Sequence, residues 1–176
     1  IISEPFLPDS NFSRTVVLLC EHNEEGSFGF VLNKVSNLHI SEIMEGLETK
    51  IDHEVYIGGP VQQNTLHFIH RMPNQLENSI EIKNGLYWGG NFEQLKVILE
   101  NDNVSSSEIK FFVGYSGWGE GQLMDELKVN SWIVSKNIEL EQIFNTKPEM
   151  LWKQALENMG GKFKMFSNYP ADPRLN

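Results

Sequence analysis

The sequence predicts an α+β fold: a single compact domain with a mixed β-sheet, an N-terminal hairpin and flanking helices. Three observations carry this. Short apolar runs rich in β-branched and aromatic residues recur along the chain, bounded by glycine and asparagine turns. Helical patterns fall among them irregularly, unlike the regular alternation of a doubly wound sheet. The first two apolar runs are separated only by a polar turn, which implies a hairpin.

In chain order, "TVVLLC" (residues 15–20) reads as a buried strand, and "NEEG" after it as the turn. "FGFVL" (28–32) is the returning strand, and Gly29 inside it marks a bulge or a close backbone approach. Residues 40–47 read as a short helix with Ile43, Met44 and Leu47 on one side. Residues 54–57 form a strand that runs into Gly58-Gly59-Pro60. "TLHFI" (65–69) alternates, with Leu66, Phe68 and His70 on one face and His67 on the other. Residues 86–88 are a strand ending in Gly89-Gly90. Residues 92–99 are a helix capped by Asn91, with Gln94 at the capping-box position. Residues 109–115 are a strand entering the glycine motif "GYSGWGEGQL", after which 122–127 form a short helix and 132–134 a strand. Residues 138–144 are a short helix. "TKPE" then predicts a helix start with Thr146 as cap, Pro148 in the first turn and Glu149 completing a box. Leu151, Trp152, Ala155, Leu156 and Met159 form its apolar stripe, and Gly160-Gly161 stops it.

No linker divides the chain. Residues 1–168 are expected to be one domain and 169–176 a C-terminal surface tail. "SNLHIS" and "NDNVSSSE" read as loops. "YIGGPVQQ" and "YWGGNFEQ" echo each other as similar strand ends, not as a repeat.

With 40% hydrophobic and 22% charged residues, the chain has the balance of a soluble globular protein. Its net charge of −10 opposes binding to a polyanion, which depends on lysine and arginine displacing counterions. Direct nucleic-acid binding is therefore not expected. The single cysteine, Cys20, has no partner for an internal disulfide, which suits a reducing cytoplasm. No window approaches the ~20 apolar residues of a membrane span, and no signal-peptide order is present. The chain opens on Ile1 and not on methionine, so a few residues are expected to precede it.

Each chemical motif has a structural alternative. The glycines of residues 114–123 either form a nest of N–H groups for an anion or make a tight turn over which Trp118 packs. "GYSGWG" fits neither the P-loop nor the dinucleotide fingerprint, so no cofactor is expected. Cys20 and His22 fall on one strand face, as a thiolate and base would, or simply as a buried thiol and a hairpin histidine. His67 and His70 point to opposite faces, and His39 and His53 are isolated, so no metal site is expected. Asp125 and Glu126 read as a solvated helix face. "GSFG" lacks the spacing of a nucleophile elbow. Arg14, just before the first strand, is either an anion ligand or half of an ion pair.

The ordered landmarks "PDSNFSRTVVLLCEHNEEGSFGFVLNK", "VYIGGPV", "GYSGWGEGQLMDEL", "NSWIV" and "PEMLWKQAL" closely resemble the bacterial YqgE/AlgH family over nearly the whole chain. The family-like positions are Phe12, Arg14, Gly29, Asn33, Gly58–Pro60, Gly114, Trp118, Gly119, Gln122, Leu123 and Trp152. Ser116 stands where many members carry alanine. The resemblance implies a compact α+β domain in a cytosolic bacterial protein. Members are often labelled transcriptional regulators, and no agreed catalytic residue or cofactor comes with the resemblance.

Two readings follow. The first is a non-enzymatic regulatory or binding protein that acts indirectly, through a protein or small-molecule partner, as a monomer or weak homodimer. The second is a small-molecule or nucleotide binder, or an enzyme, using a glycine-rich cleft. The candidate ligand surface combines Arg14, Gly58, Gly59, Gly114, Tyr115, Trp118 and Gln122, on the argument that glycine motifs ending strands mark ligand crevices. No residue is assigned a catalytic role.

Overall fold

The computed structural model describes residues 1–136 and 138–170. In order, the elements are β1 (Ile2–Ser3), β2 (Val17–Asn23), β3 (Gly26–Val31), β4 (Val35–His39), α1 (Ile40–Ile43), β5 (Glu54–Ile57), β6 (Val61–His70), β7 (Ile80–Lys83), β8 (Leu86–Trp88), α2 (Phe92–Asn101), β9 (Ile109–Gly119), α3 (Gln122–Lys128), β10 (Trp132–Ile133), α4 (Leu140–Asn145), α5 (Pro148–Met159) and α6 (Gly161–Phe166). The fold is α+β with a mostly antiparallel sheet, as expected.

β9 is the axis of that sheet, whose path runs β2-β3-β9-β6-β8-β7. Its first half lies between β5, parallel, and β6, antiparallel. Its second half pairs with β3 on the edge that β5 has vacated. β4 joins the outer side of β5, and β1 forms a small ladder with β10. The sheet curls strongly: Phe28 of β3 meets Trp88 of β8 at 4.7 Å between ring centroids, although two strands lie between them.

Alternate residues of β9 split the core, as the period of two requires. Phe112 joins Phe30, Ile69 and Leu86 inside the curl, covered by Ile143, Leu151 and Trp152 of α4 and α5. Phe111 joins Val55 and Phe68 on the other face, under Leu95 and Leu99 of α2. Phe30, Phe68, Phe111 and Phe112 are all fully buried, each contributing about 2–3 kcal/mol of hydrophobic stabilisation. A third cluster sets Trp118 and Trp132 with Leu123 of α3.

The hairpin forms as expected, and Gly29 has both features its position suggested. The opposite strand shifts register between Leu19 and Glu21, and a Cβ at Gly29 would overlap the Leu18 carbonyl. Several expectations are corrected. Residues 36–39 of the expected loop "SNLHIS" join Val35 in β4, because β5 offers a free edge at Tyr56 and Glu54. The helix expected over 40–47 ends at Ile43, since Met44 is extended. Asn91 caps α2 through Glu93 and Gln94 N–H groups, but the Gln94 side chain accepts from Glu77 N–H and does not return to Asn91. α5 starts at Pro148 with Lys147 at the cap position, while Thr146 bonds Gln154. Gly160 ends α5, but α6 follows at once. β9 does not end at Tyr115: it continues to Gly119, because β3 supplies partners as far as Gly26. Of the predicted tail, Tyr169 stacks on Phe6, and residues 171–176 lie outside the described residues.

Candidate functional site

The two glycine motifs meet, and their meeting is a crossing of backbones. β5 and β6 flank β9 on opposite edges, joined only by Gly58-Gly59-Pro60. The chain must pass directly over β9. A Cβ on Gly59 would overlap the Tyr115–Ser116 peptide, and one on Gly58 would overlap the Gly114 carbonyl. Gly114 answers from below with φ +66; a Cβ there would lie 2.7 Å from the Val61 carbonyl oxygen. Only glycine permits this contact. The Gly58 carbonyl, just past the end of β5 and beside the end of β3, accepts from Val31 N–H at 2.8 Å and from the buried Ser116 hydroxyl at 2.9 Å. The space over residues 114–116 is therefore filled by protein. Tyr115 faces the interior of the curl, edge-on to Phe28 and His67.

Trp118 is 5% exposed, packed as the sequence suggested. Its indole N–H donates to Glu126 Oε2 at 2.9 Å, and Trp132 donates to the same oxygen at 2.7 Å. Gln122 completes the arrangement, donating to Glu126 Oε1 and accepting from Gly119 N–H. Glu126 is thus a structural acceptor and not part of a solvated face; Asp125 alone pairs outward, with Lys128.

The tight turn of the motif falls at Gly119–Gly121, later than expected. Beside it lies a cleft of about 480 Å³ that reaches the β2–β3 turn. His22 Nδ1 and the Ser27 hydroxyl share a 2.6 Å hydrogen bond there, a cross-strand pair of the hairpin. Cys20 is not poised as a nucleophile: it occupies the bulge, and burial pushes its thiol pKa up, away from the thiolate form.

Arg14 does not join the glycine crossing. Its guanidinium lies 4.7 Å over the Trp152 ring and donates to the Tyr169 carbonyl, tying the N-terminal segment to α5 and to the turn after α6. The candidate surface therefore resolves into three places: Gly58, Gly59, Gly114 and Tyr115 at the crossing, Trp118 and Gln122 at Glu126, and Arg14 at Trp152.

Two features escaped sequence reasoning. Lys110, 5% exposed, donates to the Ile143 carbonyl of α4 at 3.0 Å and stands 4.1 Å over the Tyr56 ring. Burial lowers its pKa to about 8, with Glu54 opposing the shift, and burial raises Tyr56 to about 12. The other is an apolar cleft of about 560 Å³ between β2, the β7–β8 turn and residues around α4, walled by Leu18, Leu32, Ile82, Leu86, Leu140 and Ile143. No group of three or more metal-ligating side chains occurs among the described residues. None of the helices described is long and apolar enough to cross a membrane.

Comparison with known proteins agrees with this geometry. A UPF0301 protein of Cytophaga hutchinsonii is 48% identical over 177 residues, spanning 100% of this chain and 96% of the relative. A UPF0301 protein of Parabacteroides distasonis is 43% identical, over 100% of this chain and 89% of the relative. The solution structure of the AlgH protein from Pseudomonas aeruginosa superposes with a TM-score of 0.73 at 27% identity, covering 96% of this chain and 91% of that one. Protein DIP2367 from Corynebacterium diphtheriae shares the fold, with a TM-score of 0.74 at 20% identity over 96% of this chain and 89% of that one. The family DUF179, described as AlgH-like, matches residues 1–164, and this chain belongs to it.

Proposed function

We propose that this protein is a non-enzymatic regulatory or binding protein of the cytoplasm that acts through a protein partner, any effect on transcription being indirect. The observation that carries this reading is the backbone crossing. At residues 114–116 the backbone of the glycine motif is packed against Gly58–Gly59 and is closed to an anion. The raised thiol pKa of Cys20 and the net charge of −10 point away from thiolate chemistry and from DNA. A second reading, a small-molecule or nucleotide binder, draws on the cleft beside Gly119–Gly121.

A thermal-shift screen of nucleotides and phosphorylated metabolites separates the two. The protein-partner reading expects no shift, whereas a ligand at a hundred times its Kd would add about 2.7 kcal/mol and raise the melting temperature. On DNA, the reading expects affinity weaker than ~10⁻⁴ M at ~150 mM salt. Tight sequence-selective binding in a gel shift would overturn it.

A further inference from the structure

We propose that the cleft between the β2–β3 turn and the start of α3 docks a basic segment of a partner protein, with one arginine side chain seated in it. This rests on the reading that the protein works through a protein partner, and names the surface and the partner's chemistry.

The cleft is built from two neighbouring turns. Gly26, where β3 starts, pairs with Gly119, where β9 ends, so the β2–β3 turn and the β9–α3 turn lie side by side. The space of about 480 Å³ there is lined by Glu24 from the first turn, Glu120 from the second, and Leu123 and Met124 from α3. Ser27 of β3 and Gly119 of β9 also border it, so it opens over those two strands. A continuation of β1 ahead of Ile1 would follow the opposite edge of β2, where Ile2 bridges Val16.

The cleft carries charge of one sign. Glu24 and Glu120 are exposed, and none of the ion pairs among the described residues involves either. Other carboxylates nearby are engaged within the fold. Glu21 accepts from the Asn23 side chain, Glu126 holds the two indoles, and Asp125 pairs with Lys128 at 2.8 Å. No lysine or arginine lines the cleft, and the Nδ1 of His22 is engaged with the Ser27 hydroxyl at 2.6 Å. The two carboxylates therefore repel a phosphate and attract a cation.

The wall beside them suits a long side chain. Met124 is 48% exposed and stands with Leu123 on the apolar side of the cleft. Arginine or lysine can lay its methylene stem on such a wall and carry its charge to the rim. Arginine fits better, because its planar fork presents donors to carboxylates from two turns, whereas lysine offers a point charge. The complementarity is electrostatic at the rim and apolar along the stem, which selects a basic segment over a nucleotide.

The test is an NMR titration of the isotope-labelled full-length protein, with any residues that precede Ile1 in place, by a six-residue peptide of alternating arginine and glycine. Saturable shifts are expected at the amides of Glu24, Ser27, Glu120 and Gly121, with Kd below about 1 mM at low salt. Citrulline in place of arginine keeps the shape without the charge and should abolish them. The exposed double change Glu24→Gln, Glu120→Gln should weaken binding about tenfold. Glu21→Gln, Glu25→Gln removes the same net charge outside the cleft and should weaken it less than about threefold. Met124→Ser, which removes the wall for the stem, should also weaken it. No saturable shift up to about 5 mM, equal weakening by the two double changes, or shifts centred elsewhere would each overturn the site. Those three outcomes leave the protein-partner reading standing. ATP moving the same amides more strongly than the peptide would overturn both.

Discussion

Trp118 and Trp132 share one acceptor: both indole nitrogens donate to Oε2 of Glu126, at 2.9 and 2.7 Å. Their rings meet edge to face at 5.7 Å, and Phe12 packs against both. One carboxylate on α3 thereby fixes the end of β9, the short strand β10 and the segment before β2. Glu126→Ala leaves two buried indole donors without a partner, at about 1–3 kcal/mol each. Glu126→Gln keeps an acceptor oxygen and should lose about half as much or less. Urea unfolding followed by tryptophan fluorescence measures both. A Glu126→Ala protein within 0.5 kcal/mol of the parent, a difference small against ~1 kcal/mol per hydrogen bond, would show that the shared acceptor is incidental.

The backbone crossing makes a sharp contrast between two glycines of related motifs. Gly59→Ala drives a methyl group into the Tyr115–Ser116 peptide, whereas Gly119→Ala meets nothing within 4 Å. The first should cost more than about 4 kcal/mol or prevent folding, and the second should stay within about 0.5 kcal/mol. Circular dichroism and thermal melts of the two variants decide it. A well-folded Gly59→Ala protein would mean that the crossing can relax and that its glycines serve something else.

The parts of this fold legible in the sequence are those set by local chemistry. The hairpin shows in "NEEG" between two apolar runs, the α2 start in Asn91, and the stripe of α5 in its spacing. β4 was hidden because "VSNLH" carries no alternation; it is a strand only because β5 has an open edge. The extension of β9 through Gly117 and Gly119 had the same cause, since β3 holds residues 116–119 in the ladder. That Gly58–Gly59 and Gly114 meet was foreseen, but as a ligand surface. Whether glycines admit a ligand or another strand depends on what crosses them, which is a non-local fact. Glu126 was unreadable for a related reason: its two indoles come from different strands.

Lys110 predicts a rise in stability with pH. Its pKa is about 8 in the fold, against the 10.5 of an ordinary lysine. Between those values the unfolded chain holds more protons, so raising the pH favours the folded state; below pH 8 the penalty for burying the charge is constant. A difference of this size corresponds to roughly 3 kcal/mol, reached only above pH 10.5. Tyr56 acts in the opposite sense. Its folded pKa is raised to about 12, so the unfolded chain ionises first and stability falls from pH 10 upward. Cys20 acts in the same sense as Tyr56 from its usual value of 9.0 upward, because burial raises its thiol pKa. The clean window is therefore about pH 8–9. Denaturation in that window should show stability increasing, and Lys110→Met should remove the increase. An unchanged slope in Lys110→Met would assign it to other groups.

At the acid end the histidines decide. His70 is fully buried and held as one neutral tautomer: Nε2–H donates to the Gly89 carbonyl at 3.0 Å, and Nδ1 accepts from Met72 N–H at 3.1 Å. A second proton has only Nδ1 to go to, where it would face the Met72 N–H and break that bond. Burial lowers the pKa of His70, the Gly89 bond opposing, and burial lowers His53 and His67 as well. Each group is thus protonated in the unfolded chain before it is in the fold. As pH falls below 6.5 the unfolded state gains protons first, and stability drops until the folded pKa values are passed. Melting temperature should therefore decline from pH 7 to pH 5. His70→Gln retains an acceptor and a donor in an uncharged side chain, and should show a shallower decline even if it starts less stable. Because the readout is the slope with pH and not the starting value, packing damage does not imitate it. A decline of equal steepness in the variant would remove His70 from the account and leave His53 and His67 to carry the effect.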